Sequence, residues 1–127
     1  MISFQDFRQV DGTPIYLQIV RYIQQGLAAG TIQDGDELPS RRVLSALLGI
    51  NPNTVQKAFH MLEEEHLMES RTGTKSCMTL PPDILDALRR EVLSDELCTM
   101  ARTLRQLGIS KEEALRLIEQ AWEEEAQ

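Results

Sequence analysis

A chain of 127 residues holds one domain and an appendage, and its 42% hydrophobic residues allow a small core filled mostly by Leu, Ile, Val, Met and Ala. The net charge of −7, taken as a sum, argues against a nucleic-acid partner, and no run approaches the roughly 18 apolar residues of a membrane span. No basic-then-apolar leader opens the chain, and Cys77 and Cys98 have neither metal spacing nor a disulfide framework, so a cytoplasmic protein with reduced thiols, no membrane association and no cofactor is expected.

Residues 1–12 read as an irregular arm. Thr13-Pro14 then pairs an N-cap with a proline at the first helical position. Tyr16, Ile19, Val20, Ile23 and Leu27 follow on one helical face, which Gly30 closes. Residues 31–38 are polar, with a turn signal at Asp34-Gly35. Ser40 caps a short second helix whose Val43, Leu44, Leu47 and Leu48 are expected inward, and Gly49 ends it. Asn51-Pro52 repeats the cap-then-proline start, and the third helix carries Val55, Ala58, Phe59 and Leu62 on its apolar face. Two short helices about a tight, glycine-containing turn make a helix-turn-helix, which projects the N-terminus of its second helix from the surface.

The Glu63–Glu65 run marks a solvated helix end. Extended stretches at 67–71 and 76–80 flank Thr72-Gly73-Thr74-Lys75, the pattern of a β-hairpin. A hairpin directly after a helix-turn-helix is a wing. Pro81-Pro82 places a boundary there, giving a winged helix-turn-helix over 1–80 and a helical tail over 81–127. In the tail, Ile84, Leu85, Leu88, Val92, Leu93, Leu97, Met100, Ala101, Leu104 and Leu107 trace a long helix closed by Gly108. Ser110 and Glu113 form a capping box before a last helix with Ala114, Leu115, Ile118, Ala121 and Trp122 on one face. The fold class is mainly α with a small β-hairpin.

The charge is unevenly spread. Residues 81–127 carry six basic and eleven acidic residues, whereas Leu38–His60 carries Arg41, Arg42 and Lys57 and no acid. The acid-free basic stretch coincides with the helix-turn-helix, where a local positive field suits double-stranded DNA. The third helix opens Asn51-Pro52-Asn53-Thr54-Val55-Gln56-Lys57, and Asn53, Thr54, Gln56 and Lys57 lie off its apolar stripe. Amide, hydroxyl and ammonium groups at a helix tip reach base edges and phosphates, Asn and Gln suiting adenine in particular. On an isolated helix such residues would be plain solvent-facing polar groups; here they stand second in a helix-turn-helix before a wing.

These stretches resemble the GntR family of bacterial regulators, and the short tail resembles its YtrA-like subfamily. The resemblance rests on Pro14–Ile19, on Leu38-Pro39-Ser40-Arg41-Arg42-Val43-Leu44, on Leu48–Val55, on Leu62-Glu63 and on the wing start Arg71-Thr72-Gly73. It implies that Ser40 and Arg42 contact DNA from the start of the second helix, that Asn53, Thr54 and Gln56 read the major groove, and that Gly73 lets the wing tip approach the minor groove. With these, the expected DNA-contacting set comprises Arg41, Asn51 (which also caps its own helix), Lys57, Arg71 and Lys75. The sequence departs from the family pattern where Lys75 replaces the second wing glycine, where Cys77 replaces a strand aromatic, and where Gln56 replaces a basic residue.

Two tail helices of one apolar face each are expected to complete their core in a homodimer, through Leu88, Val92, Leu97, Met100, Leu104, Leu115, Ile118 and Trp122. The alternative is that they fold back onto the winged domain. A dimer holds two reading helices about 34 Å apart and predicts a palindromic operator. The resemblance further implies a repressor, with control of a transporter operon; any small-molecule effector is not written in the sequence. A winged protein-interaction module without DNA binding is the competing function. No nucleophile–base pair, metal cluster or phosphate loop supports an enzyme, and His60 and His66 lack partners for a metal site.

Overall fold

The computed structural model describes residues 1–70 and 75–126. The expectations for Arg71 and Gly73, and for the hairpin tip, lie outside the described residues. The elements run α1 (Ile15–Ala29), β1 (Glu37–Leu38), α2 (Arg41–Leu48), α3 (Pro52–Glu64), β2 (Met68–Ser70), β3 (Ser76–Met78), α4 (Pro82–Gln106) and α5 (Lys111–Glu125). Mostly helical, with one small antiparallel sheet, they form a winged helix-turn-helix followed by two helices. The chain divides into two compact units, 1–92 and 93–127.

In the first unit the helical faces bury as their spacing predicts. Ile19, Val20, Ile23 and Leu27 of α1 meet Val55, Ala58, Phe59 and Leu62 of α3, with Leu44 from α2 and Leu88 from the front of α4 completing the core. Each such large aliphatic side chain contributes about 1.5–3 kcal/mol by leaving water. Caps fix the helix starts: the Ser40 hydroxyl accepts from the Val43 amide, and the Asn51 side chain accepts from the Asn53 amide. The expected Thr13 cap is not made. α1 begins at Ile15 with Pro14 at its cap and no side-chain bond there. Instead the Gln18 amide holds the preceding chain, donating to the Val10 and Thr13 carbonyls at 2.9 and 2.8 Å and accepting from the Val10 N–H at 2.9 Å.

The arm before α1 is irregular, as expected, yet it is part of the core. Ile2, Phe4 and Phe7 are buried, and the Phe4 and Phe7 rings stand 5.0 and 5.4 Å from the Tyr22 ring. The Tyr22 hydroxyl donates to the Ser3 carbonyl at 2.7 Å, and burial, with the Asp6 carboxylate adding to it, pushes the Tyr22 phenol above its ordinary value. The arm is tied down at both ends. The Ile2 N–H donates to the Glu37 carbonyl at 2.8 Å, and the Gln9 amide donates to the Leu48 carbonyl at 3.0 Å.

The helix α2 corrects one expectation. Leu44 and Ser45 are buried and Leu48 half-buried, while Val43 and Leu47 are 48% and 67% exposed. One residue is about 100° of helical rotation, so the buried face is rolled by about one position from that drawn through Val43 and Leu47. The cause is polar: the Ser45 hydroxyl donates to the Ile50 carbonyl inside the turn. Gly49 closes α2 in the left-handed region at φ 67°, and the Ile50 N–H returns to the Ser45 carbonyl at 3.1 Å. The angle between α2 and α3 is thereby locked by two bonds between the same two residues.

The expected hairpin is present and carries a third strand. The sheet order is β1-β3-β2, with Glu37 opposite Cys77 and Leu38 opposite Ser76 on one side of β3, and Met68, Glu69 and Ser70 opposite Met78, Cys77 and Ser76 on the other. His66 links α3 to β2 with φ 62°, a left-handed conformation for a residue with a Cβ.

In the second unit the last helix is capped as expected, the Ser110 hydroxyl accepting from the Glu113 amide at 3.2 Å. Leu93, Leu97, Met100, Leu107, Leu115 and Leu117 are exposed, and Trp122 is 74% exposed. Ile118, Ala121, Trp122 and Met100 line a shallow apolar hollow.

Candidate nucleic-acid interface

The tips of α2 and α3 and the edge of the sheet enclose an open groove on the first unit. Ser40, Arg41, Arg42 and Val43 line it from α2, Pro52, Asn53, Gln56, Phe59 and Glu63 from α3, and Met68, Ser70, Lys75 and Ser76 from the sheet side. Among the described residues, three cations line the groove beside one carboxylate, Glu63, whose Oε1 accepts from the Ser70 hydroxyl at 3.1 Å. The arrangement follows from the local chemistry. The Ser40 cap starts α2 so that Arg41 and Arg42 stand in its exposed first turn, and the Asn51 cap with Pro52 starts α3 so that Asn53 and Gln56 stand clear of the buried face.

The groove gathers Ser40, Arg41, Arg42, Asn53, Gln56 and Lys75 from the expected set. Asn51 is exposed but its side-chain oxygen is occupied by the Asn53 amide, and Thr54 is half-buried on the flank of α3. Lys57 takes a different direction. Its ammonium stands 4.1 Å from the centroid of the Tyr16 ring on α1, a cation–π contact of about 0.5–1 kcal/mol at an exposed site. The Lys75 ammonium lies 4.0 Å from the Glu37 carboxylate, an exposed pair of the kind that contributes little. Arg41 Nη1 donates to Gln56 Oε1, joining the first turn of α2 to the exposed face of α3.

Two features of the interface were not visible in the sequence reading. The Ser45–Ile50 lock sets the angle at which α3 is presented, and its only signal is a serine among the apolar residues of α2, five residues before Ile50. Tyr16 belongs to the α1 face, but its hold on Lys57 depends on how α1 crosses α3. Away from the groove, Leu88 is buried in the core of the first unit and Val92 packs against it. Leu97, Met100, Leu115 and Trp122 of the second unit are exposed, and Leu104 and Ile118 are half-buried. Among the described residues, no cluster of His, Cys, Asp and Glu is arranged to hold a metal ion, and no helix is long and apolar enough to cross a membrane.

Residues 15–75 match the family described as bacterial regulatory proteins, gntR family. Over 102 residues the chain is 32% identical to the HTH-type transcriptional regulator YhcF of Bacillus subtilis, covering 80% of this chain and 84% of that one. Over 61 residues it is 43% identical to the HTH-type transcriptional repressor YtrA of the same organism, covering 48% of this chain and 47% of the relative. Among solved structures, a GntR family transcriptional regulator from Listeria monocytogenes superposes with a TM-score of 0.74 at 31% identity, over 88% of this chain and 98% of that one.

Proposed function

The chain belongs to the GntR family of bacterial regulatory proteins, whose business is DNA-binding transcription regulation, and from that premise we propose that it is a repressor that holds a palindromic operator as a homodimer. The observation that carries the reading is the groove in which Arg41, Arg42 and Lys75 surround the polar tips of α2 and α3. Arg42 and Lys75 serve as phosphate contacts, and Asn53 and Gln56 present amides to base edges. Thr54 on α3, with Arg71 and Gly73, completes the proposed contact set. The division of labour is that of a winged domain over 1–80 and a tail over 81–127, whose start packs on the winged core through Leu88 and whose residues 93–127 carry the pairing face.

Homodimerisation is supported by the exposed apolar side chains of the second unit. A unit of 35 residues cannot bury a self-sufficient core, and Leu97, Met100, Leu115 and Trp122 offer it a face to share with a second copy. The repressor reading is supported by the 43% identity to a relative named as a repressor. Control of a transporter operon is the gene context this resemblance suggests.

The test is a titration of the full chain against genomic fragments it retains, repeated at several salt concentrations. Each lost phosphate contact makes the dependence of log affinity on log salt shallower by about 0.9. Arg42→Ala is expected to weaken binding and reduce the slope by about that amount. An unchanged slope with unchanged affinity would remove Arg42 from the interface, and retention of no duplex at low ionic strength would overturn the reading.

A further inference from the structure

The bond between Arg41 and Gln56 decides which way the Gln56 amide faces. An arginine side chain carries only donors, so the atom of Gln56 turned toward it must be the carbonyl oxygen. The amide nitrogen, with two N–H groups, is left for the other side. Both residues line the groove between α2, α3 and the sheet, and both are exposed. A glutamine that reads adenine in the major groove needs its oxygen to accept from N6 while its nitrogen donates to N7. Here that oxygen is turned to a neighbour on another helix, which fills one of its two lone pairs.

Resting on the reading of this groove as a DNA interface, we propose that Arg41 is a positioning residue that turns the Gln56 oxygen toward α2 and its amide nitrogen outward as the donor, so that the base it meets is read as guanine. Guanine shows two acceptors in the major groove, O6 and N7, which match the two outward N–H groups. Adenine opposes one of them with its N6–H₂ donor, cytosine shows only a donor at N4, and thymine offers the single acceptor O4. The specificity of a residue on α3 is thus set by a residue on α2. The usual pairing of glutamine with adenine is inverted at this position.

The experiment is selection of duplexes from a randomised library by the full-length protein and its variants, with sequencing of the retained pool. Gln56→Ala identifies the base step by abolishing the preference there, and the parent protein is expected to prefer guanine at that step. Arg41→Leu frees the amide, and the step is expected to move toward adenine by about fivefold or more, the lower bound for a bidentate base contact. Arg41→Lys keeps a donor for the amide oxygen and retains guanine. A parent preference for adenine, an Arg41→Leu pool that binds more weakly with an unchanged base profile, or a Gln56→Ala variant with no altered step would each overturn the inference while leaving the DNA interface standing. Retention of no duplex by the parent protein would remove both.

Discussion

Ser45→Ala tests the lock that sets the presentation of α3. The substitution removes the hydroxyl that donates to the Ile50 carbonyl and leaves the backbone bond from the Ile50 N–H to the Ser45 carbonyl in place. A buried acceptor left without its partner costs about 1–3 kcal/mol, and alanine returns up to about 0.5 kcal/mol in helix propensity. Ile50 is half-buried, so water reaches part of the freed carbonyl and the lower end applies, a net loss of about 0.5–1 kcal/mol. Thermal unfolding at fixed protein concentration is expected to shift down by about 2–5 °C. A loss of that size leaves a domain with at least about 5 kcal/mol of stability almost fully folded at 25 °C. Weakened DNA binding by the variant at that temperature therefore reports the angle of α3 and not the folded fraction. The fall in affinity is expected to stay within about tenfold, the equivalent of about 1.4 kcal/mol. An unchanged or raised unfolding temperature would refute the assignment of the hydroxyl as a structural donor, and full affinity in a destabilised variant would refute its role in presenting α3.

Three further substitutions probe the scaffold. A Cβ at Gly26 would stand 2.4 Å from Cδ1 and 2.7 Å from Cγ1 of buried Ile32, so Gly26→Ala is expected to lose about 1–3 kcal/mol to overpacking against about 1 kcal/mol gained in helix propensity; chemical denaturation of the variant, and of the pair with Ile32→Ala, should show the clash relieved in the double variant. His66→Gly removes the side-chain penalty of a left-handed backbone and is expected to raise stability by up to about 1 kcal/mol in the same assay. The raised Tyr22 phenol keeps its proton in the folded chain where the unfolded chain has lost it, so its contribution is complete below the ordinary value near 10 and drains away as pH climbs through the folded value. Tyr22→Phe should flatten that alkaline decline, and a decline of equal steepness in the variant would assign it to other groups.

Much of this was legible in the residues because helical periodicity and capping are local. Ile19, Val20, Ile23 and Leu27 could bury only together, and Ser40, Asn51 and Ser110 bond to amides two or three residues away. What the sequence does not show depends on distant partners. The two-residue strand Glu37–Leu38 is too short to show alternation and exists because β3 offers it an edge. Phe4 and Phe7 have no periodicity, and they bury as a three-ring cluster with the Tyr22 that α1 presents to them. In α2 the apolar residues at 43, 44, 47 and 48 define too broad a stripe to choose one edge, and the choice falls to Ser45 and its partner in the turn. In the groove, residue types pointed to DNA contacts, but the engagement of Lys57 by Tyr16 and of Gln56 by Arg41 required the crossing of helices far apart in sequence.

The N-terminal arm clasps both working ends of the winged unit. Its second residue is bonded to the strand beside the wing, and its ninth reaches the last turn of the helix that precedes the reading helix. Few residues separate these two anchors, so the distance between wing and helix-turn-helix is spanned by a short tether of fixed length. Insertions or deletions between Ile2 and Gln9 would therefore change the spacing of two elements they never touch along the chain. Replacements in this strap are expected to be tolerated only where they keep its length and its two phenylalanine anchors.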